Sequence, residues 1–125
     1  MLPKLLWIAF FGALGALARY GLGGWVQRQA SGAFPWGTVA VNLSGCLAFG
    51  LIWTLASERH LIGGEWRVIL LVGFLGAYTT FSSFVFETGE MMRAGEWLAA
   101  LGNMALQNVL GLAALFAGIV LGRLL

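Results

Sequence analysis

Arg19 is the only ionised side chain that interrupts four apolar stretches, residues 5–26, 36–56, 68–86 and 97–122, which together make up most of this 125-residue chain. A helix needs about 20 residues to cross the hydrocarbon of a bilayer, so each stretch is long enough to span. Soluble domains carry roughly 25% charged residues. Here the charged share is 10% and the mean hydropathy is +0.88, which leaves too little polar surface for a water-facing exterior. The solvent for this chain is lipid. Backbone groups in hydrocarbon must satisfy one another, which predicts helices, and the stretches lack the alternation of transmembrane β-strands. The expected fold is an all-α membrane protein, one four-helix domain over residues 1–125, with no room for a soluble catalytic or ligand-sensing domain.

Punctuation along the chain supports these boundaries. Pro35 stands just before the second stretch, where a missing N–H costs nothing, and Gly63-Gly64 marks the middle loop. Tryptophans 7, 25, 36, 53, 66 and 97 fall near span ends, at the level where amphipathic rings settle. The first stretch is about 22 residues long and carries Arg19-Tyr20-Gly21 toward its end rather than a small-residue cleavage site, so it reads as a retained helix and not a signal peptide. Glycine supplies 19 of 125 residues, well above the usual share of about 7%. Small residues recur at helical spacing, as in Ala40/Ser44/Ala48 and Gly118/Gly122, which predicts close helix packing and self-association.

The basic residues divide almost evenly. Lys4, Arg59, Arg67 and Arg123 go with the termini and middle loop, and Arg19, Arg28 and Arg93 with the other side. So small a bias does not fix orientation. The expectation is insertion both ways round, with opposite copies pairing about an axis in the membrane plane. No basic cluster suits nucleic acid. The single cysteine, Cys46, lacks the spacing for a disulfide or zinc site and is expected to be a small core residue. His60, beside Glu58 and Arg59, reads as a solvated loop residue.

Polar residues at membrane depth carry the functional signal. Thr38, Asn42 and Gly45 share one face of the second helix, and Asn103, Gln107 and Gly111 one face of the fourth, with Asn108 adjacent. The third stretch holds Gly73, Gly76, Tyr78, Thr79, Thr80, Phe81, Ser82, Ser83 and Phe84. Gly76 and the paired threonines are where a mid-membrane break is expected, freeing carbonyls for internal use. Such groups serve either as interhelical glue or as a polar pathway. Amide, hydroxyl and guanidinium groups are donors and phenyl rings present a positive edge, so a pathway built from them solvates an anion. Cation and proton routes carry buried carboxylates. None lies at depth here, since Glu87 closes the third stretch and Glu58, Glu65, Glu90 and Glu96 lie in loops. This sets the chain apart from small four-helix multidrug exporters, which depend on a glutamate in the first helix where this chain has Arg19. Arg19 itself either snorkels to the interface or biases a vestibule toward anions. No nucleophile, base and orienting group occur together, so no enzyme is expected.

At these residues the chain resembles the Fluc/CrcB family of fluoride channels over essentially its whole length. Gly73-Phe74-Leu75-Gly76-Ala77-Tyr78-Thr79-Thr80-Phe81-Ser82-Ser83-Phe84 matches the family signature G-x-x-G-x-x-T-T-F-S-S/T-F. Gly37-Thr38-Val39-Ala40-Val41-Asn42-Leu43-Ser44-Gly45 matches G-T-x-x-V-N-x-x-G, and Gly12 to Tyr20 match G-x-x-G-A-x-x-R-Y/F. The resemblance implies a bacterial inner-membrane protein forming an antiparallel, dual-topology homodimer with two fluoride pores. By the same resemblance Phe81 and Phe84 line the pores with ring edges, Asn42 donates an amide hydrogen, and Thr38, Thr80, Ser82 and Ser83 belong to the polar track. Arg19 maps to the vestibule and Glu87 to the pore mouth. Backbone carbonyls of Gly76 and Thr79 from both subunits would hold a structural sodium ion. On the fourth helix Asn103 and Gln107 stand where the family commonly has Tyr and Ser, so whether Asn103, Gln107 or Asn108 meets the ion stays open.

The physics agrees with the resemblance. A selective pore must replace the water of a small, strongly hydrated anion with close donors at several modest sites. A sodium would offset orphan carbonyls and link two subunits. Lacking a coupling carboxylate, the chain is expected to conduct passively and let out fluoride that enters cells as the neutral acid. The rival readings are a coupled anion or fluoride transporter and a structural membrane subunit without transport.

Overall fold

A computed structural model describes residues 1–125. The chain forms four spans with no strands: a first helix Leu2–Gln29, a second helix Trp36–Ser57, a third span Gly64–Arg93 and a last helix Trp97–Leu124. All four are long and apolar enough to cross a membrane. The helices extend beyond the apolar runs because polar end residues such as Gln27, Arg28 and Arg93 continue the backbone ladder into the headgroup zone. Only 23 of 125 residues are buried, so most large apolar side chains, Leu17, Phe86, Leu98 and Phe116 among them, face outward. That is the pattern of a protein dissolved in lipid, where packing between helices depends on close fit.

Glycine makes that fit. A Cβ on Gly50 of the second helix would strike the Leu115 carbonyl of the last, and one on Gly118 of the last would strike the Leu47 carbonyl of the second. The two backbones therefore touch in both directions, and this is the tightest seam in the molecule. A small core of Val41, Leu71, Leu75 and Tyr78 fills the space between the second helix and the third span.

The loops are tied by side chains. Gln27 donates to the Phe34 carbonyl at 3.0 Å and accepts from Gly37 N–H at 3.0 Å. It thereby supplies a partner for one of the free N–H groups at the start of the second helix, which Pro35 cannot cap. At the opposite membrane face Arg123 donates from Nε and Nη2 to the Glu58 carboxylate at 2.8 and 3.0 Å. These hydrogen bonds, aided by the guanidinium charge, hold the Glu58 carboxyl below the usual carboxylate range. The turn into the last helix passes through Gly95 at φ +77°, a conformation that glycine adopts freely.

The third span is irregular. It begins as an α-helix at Gly64–Val68, widens to a π-helix over Ile69–Leu75, returns to α at Gly76–Tyr78, stops, and resumes at Phe81–Arg93. The break lies at Thr79 (φ −78°, ψ 157°) and Thr80 (φ −146°, ψ 109°). Gly76, expected to share in the break, is helical at φ −62°, ψ −33°. The physical reason is a side chain from elsewhere. The Thr80 N–H, which an unbroken helix would direct to the Gly76 carbonyl, donates instead to Asn42 Oδ1 at 2.8 Å.

Candidate functional site

The broken backbone of the third span creates the site. Thr80 is extended, so its N–H and C=O point sideways to the second helix, where Asn42 meets both groups. Asn42 Oδ1 accepts from the N–H at 2.8 Å and its Nδ2 donates to the C=O at 3.1 Å. The second half of the span then restarts with Thr80 as its cap: the Thr80 hydroxyl accepts from Ser83 N–H at 3.2 Å and donates to Ser83 Oγ at 2.9 Å. That N–H would otherwise return to the Thr79 carbonyl, which now meets only Arg19 Nη1, at 3.5 Å. Gly45 gives the break its room, because a Cβ there would collide with the Thr79 methyl group. Just before the break Tyr78 stacks on Phe74 and its hydroxyl lies 2.7 Å from Ser44 Oγ, tying this half of the span to the second helix.

Two cavities meet at Thr80. One, of about 580 Å³, is lined by Arg19, Thr38, Thr80, Ser83 and Glu87 together with the ends of the first two helices. Within it Thr38 Oγ1 donates to Glu87 Oε1 at 2.7 Å, while Glu87 Oε2 is buried without a partner. The other, of about 440 Å³, is an open groove whose walls include Asn42, Thr79, Thr80, Phe81, Phe84, Gln107 and Asn108. The two phenyl rings lie 5.9 Å apart and are tilted by 50°, and Phe81 is 76% exposed on the outer face of the chain. The cleft presents a guanidinium and hydroxyls beside the Glu87 carboxylate, and the groove presents amides and phenyl rings. Apart from that carboxylate, the polar side chains of the lining offer donors suited to an anion.

Most of the residues singled out in the sequence converge here, and several differ in detail. Asn42 commits both amide hydrogens within the protein, one to Thr80 and one to Gln107 Oε1 at 2.7 Å. Asn103 is fully enclosed and lines neither cavity, because its helical register turns it toward the third span. Gln107 reaches the groove wall, as does Asn108, whose Nδ2 donates to the Met104 carbonyl at 2.7 Å. Ser82 is exposed and lines neither cavity. Cys46, expected in the core, is half-buried on the groove wall, facing Gly111 of the last helix. His60 is exposed in its loop.

Sequence reasoning missed Thr88. Its hydroxyl accepts from Asn103 Nδ2 at 2.9 Å and donates to the Phe84 carbonyl at 2.7 Å. The signal was the i, i+4, i+8 spacing of Thr80, Phe84 and Thr88, which places them on one helical face.

The donor set for a cation is narrow. The Gly76 carbonyl has lost its helical donor and Gly76 is exposed, so this oxygen fits a sodium ligand. The Thr79 carbonyl fits only if Arg19 yields it.

A family model described as "CrcB-like protein, Camphor Resistance (CrcB)" matches residues 6–119. The chain is 54% identical over 122 residues to "Fluoride-specific ion channel FluC" of Desulforapulum autotrophicum, with 98% of each chain covered. It is 52% identical over 125 residues to the protein of the same name from Solidesulfovibrio magneticus, and 50% identical over 125 residues to that from Nitrosococcus oceani, each covered in full.

Proposed function

This chain belongs to the CrcB family, and from that premise we propose how it acts: it is a fluoride channel of a bacterial membrane, multi-pass and non-enzymatic, conducting passively. The observation that carries the reading is Thr80, which forms the wall between a cleft holding Arg19 and a groove edged by Phe81 and Phe84. Fluoride is drawn into the cleft by the guanidinium, exchanges part of its water for the hydroxyl of Ser83, whose hydrogen is free because Thr80 donates to its oxygen, and passes along the phenyl rings. The amides of the last helix, Gln107 and Asn108, supply the remaining donors, with Asn42 holding Gln107 in place. The phenyl-edged groove holds no carboxylate, and the single carboxylate of the cleft, Glu87, accepts from the Thr38 hydroxyl.

The working unit is an antiparallel homodimer. Phe81 and the Asn108 amide are exposed at membrane depth, and a second copy would enclose both. The even balance of basic residues permits the opposite insertion that such a pair requires. Across that contact the Gly76 and Thr79 carbonyls of the two copies would hold a sodium ion, whose charge favours the anion nearby.

The reading is tested by purifying the chain into liposomes and following fluoride and chloride release with electrodes. Fluoride release without a proton gradient and with chloride retained is expected. Release that requires a proton gradient would point to a coupled transporter, and silence from an assembled protein to a structural subunit. Labelling from both membrane faces should find two orientations; a single orientation would rule out the antiparallel pair.

A further inference from the structure

The last helix carries a relay of side-chain amides whose direction is set by hydrogen-bond counting. Thr80 N–H can meet only an acceptor, so Asn42 turns Oδ1 to it and Nδ2 away. Asn42 Nδ2 donates to Gln107 Oε1 at 2.7 Å, Gln107 Nε2 to Asn103 Oδ1 at 3.0 Å, and Asn103 Nδ2 to Thr88 Oγ1 at 2.9 Å. Thr88 spends its one hydrogen on the Phe84 carbonyl at 2.7 Å, so its oxygen has to accept. Every link points the same way, from the break in the third span through two other helices and back to the third span two turns later.

We infer that Thr88 is a positioning residue for conduction: its hydroxyl ends and polarises the relay that aims the Gln107 amide at the groove. The inference rests on the channel reading above. With the direction fixed, both Asn42 hydrogens are consumed by the protein, whereas Gln107 keeps one amide hydrogen beyond its bond to Asn103, and Gln107 lines the groove. The donor that meets the anion is therefore Gln107, held by Asn42 on one side and Asn103 on the other. The relay also brackets the turns carrying Phe81 and Phe84, since it leaves the third span at Thr80 and rejoins it at Thr88. Remove the Thr88 acceptor and the enclosed Asn103 amide has no partner in its present orientation. Turning Asn103 over would set donor against donor at Gln107, and turning Gln107 as well would repeat the conflict at Asn42 and present a carbonyl oxygen to the anion. Either the enclosed Asn103 amide stays unpaired at the end of the relay, or the conflict is passed along it to Gln107 at the groove.

The test uses the full chain in liposomes, comparing fluoride and chloride release for the wild type, Thr88→Val and Thr88→Ser. Valine keeps the shape and deletes the hydroxyl; serine keeps the hydroxyl. Thr88→Val is expected to lose about tenfold in fluoride flux, the equivalent of about 1.4 kcal/mol, and to lose fluoride-over-chloride preference, with Thr88→Ser within about twofold of wild type. Wild-type flux in Thr88→Val, or an equal loss in Thr88→Ser, overturns the inference. Should Thr88→Val fail to assemble, Thr88→Ala against Thr88→Ser carries the same contrast of one hydroxyl, and equal fluxes overturn it. A wild type that releases no fluoride would instead refute the channel reading on which this rests.

Discussion

Replacing Asn42 by aspartate changes one atom that the structure makes decisive. The acceptor oxygen is kept, so the bond from Thr80 N–H at 2.8 Å survives and the break in the third span persists. The amide nitrogen becomes an oxygen facing the Thr80 carbonyl at 3.1 Å and Gln107 Oε1 at 2.7 Å, and two attractions turn into oxygen–oxygen repulsions. Side-chain hydrogen bonds between membrane helices are worth about 0.6 kcal/mol on average and up to about 1.7, so the pair accounts for about 1–3 kcal/mol before any repulsion. A further penalty comes from placing negative charge on an anion's route. If the lost energy appears in the barrier to conduction, fluoride flux falls by at least about 5- to 150-fold. The assay is fluoride release per reconstituted particle, with assembly checked by gel filtration. Lowering the pH should recover part of the flux, because a protonated carboxyl donates one hydrogen again. Wild-type flux for Asn42→Asp at neutral pH, from an assembled protein, would refute the reasoning that Asn42 organises the pore wall.

Other perturbations separate the parts of the site from those of the scaffold. Phe81→Ile and Phe84→Ile keep apolar bulk but remove the positive ring edge, so both should cut fluoride flux sharply while gel filtration stays unchanged; unchanged flux in both would take the rings out of the pathway. Gly118→Val drives a side chain into the Leu47 carbonyl and should prevent stable assembly, read as loss of the monodisperse species in detergent, whereas Gly102→Ala, where nothing lies near an added Cβ, should assemble normally. Glu58 has a depressed carboxyl pKa in the folded chain, so its contact with Arg123 is present at neutral pH and is lost as pH falls through that depressed value. Both partners are exposed, and Glu58→Gln should leave fluoride flux unchanged and shift thermal stability little.

The four spans were legible because lipid demands long uninterrupted apolar runs, and one arginine among four such runs admits no other fold. The break at Thr79 and Thr80 was legible only in outline. Glycine propensity pointed to Gly76, but the backbone departs from the helix where Asn42 captures the Thr80 amide, a contact between residues 38 positions apart that no local pattern reports. The π-helical turn over Ile69–Leu75 left no mark in composition either. On the last helix, spacing put Asn103 and Gln107 correctly on one face. Which of them meets the groove depends on the rotation of that face, and this follows from the Gly50 and Gly118 contacts with the second helix. Thr88 was passed over because a lone threonine beside Glu87 looks like a helix-end residue until Asn103 is found against it.

The most direct measurement is the current through the reconstituted protein in a planar bilayer with a fluoride gradient and an opposing chloride gradient. Passive, selective conduction predicts a reversal potential at the fluoride equilibrium value, unmoved by pH gradients and by changes in chloride. A reversal that follows chloride, or a current that depends on a proton gradient, would contradict it.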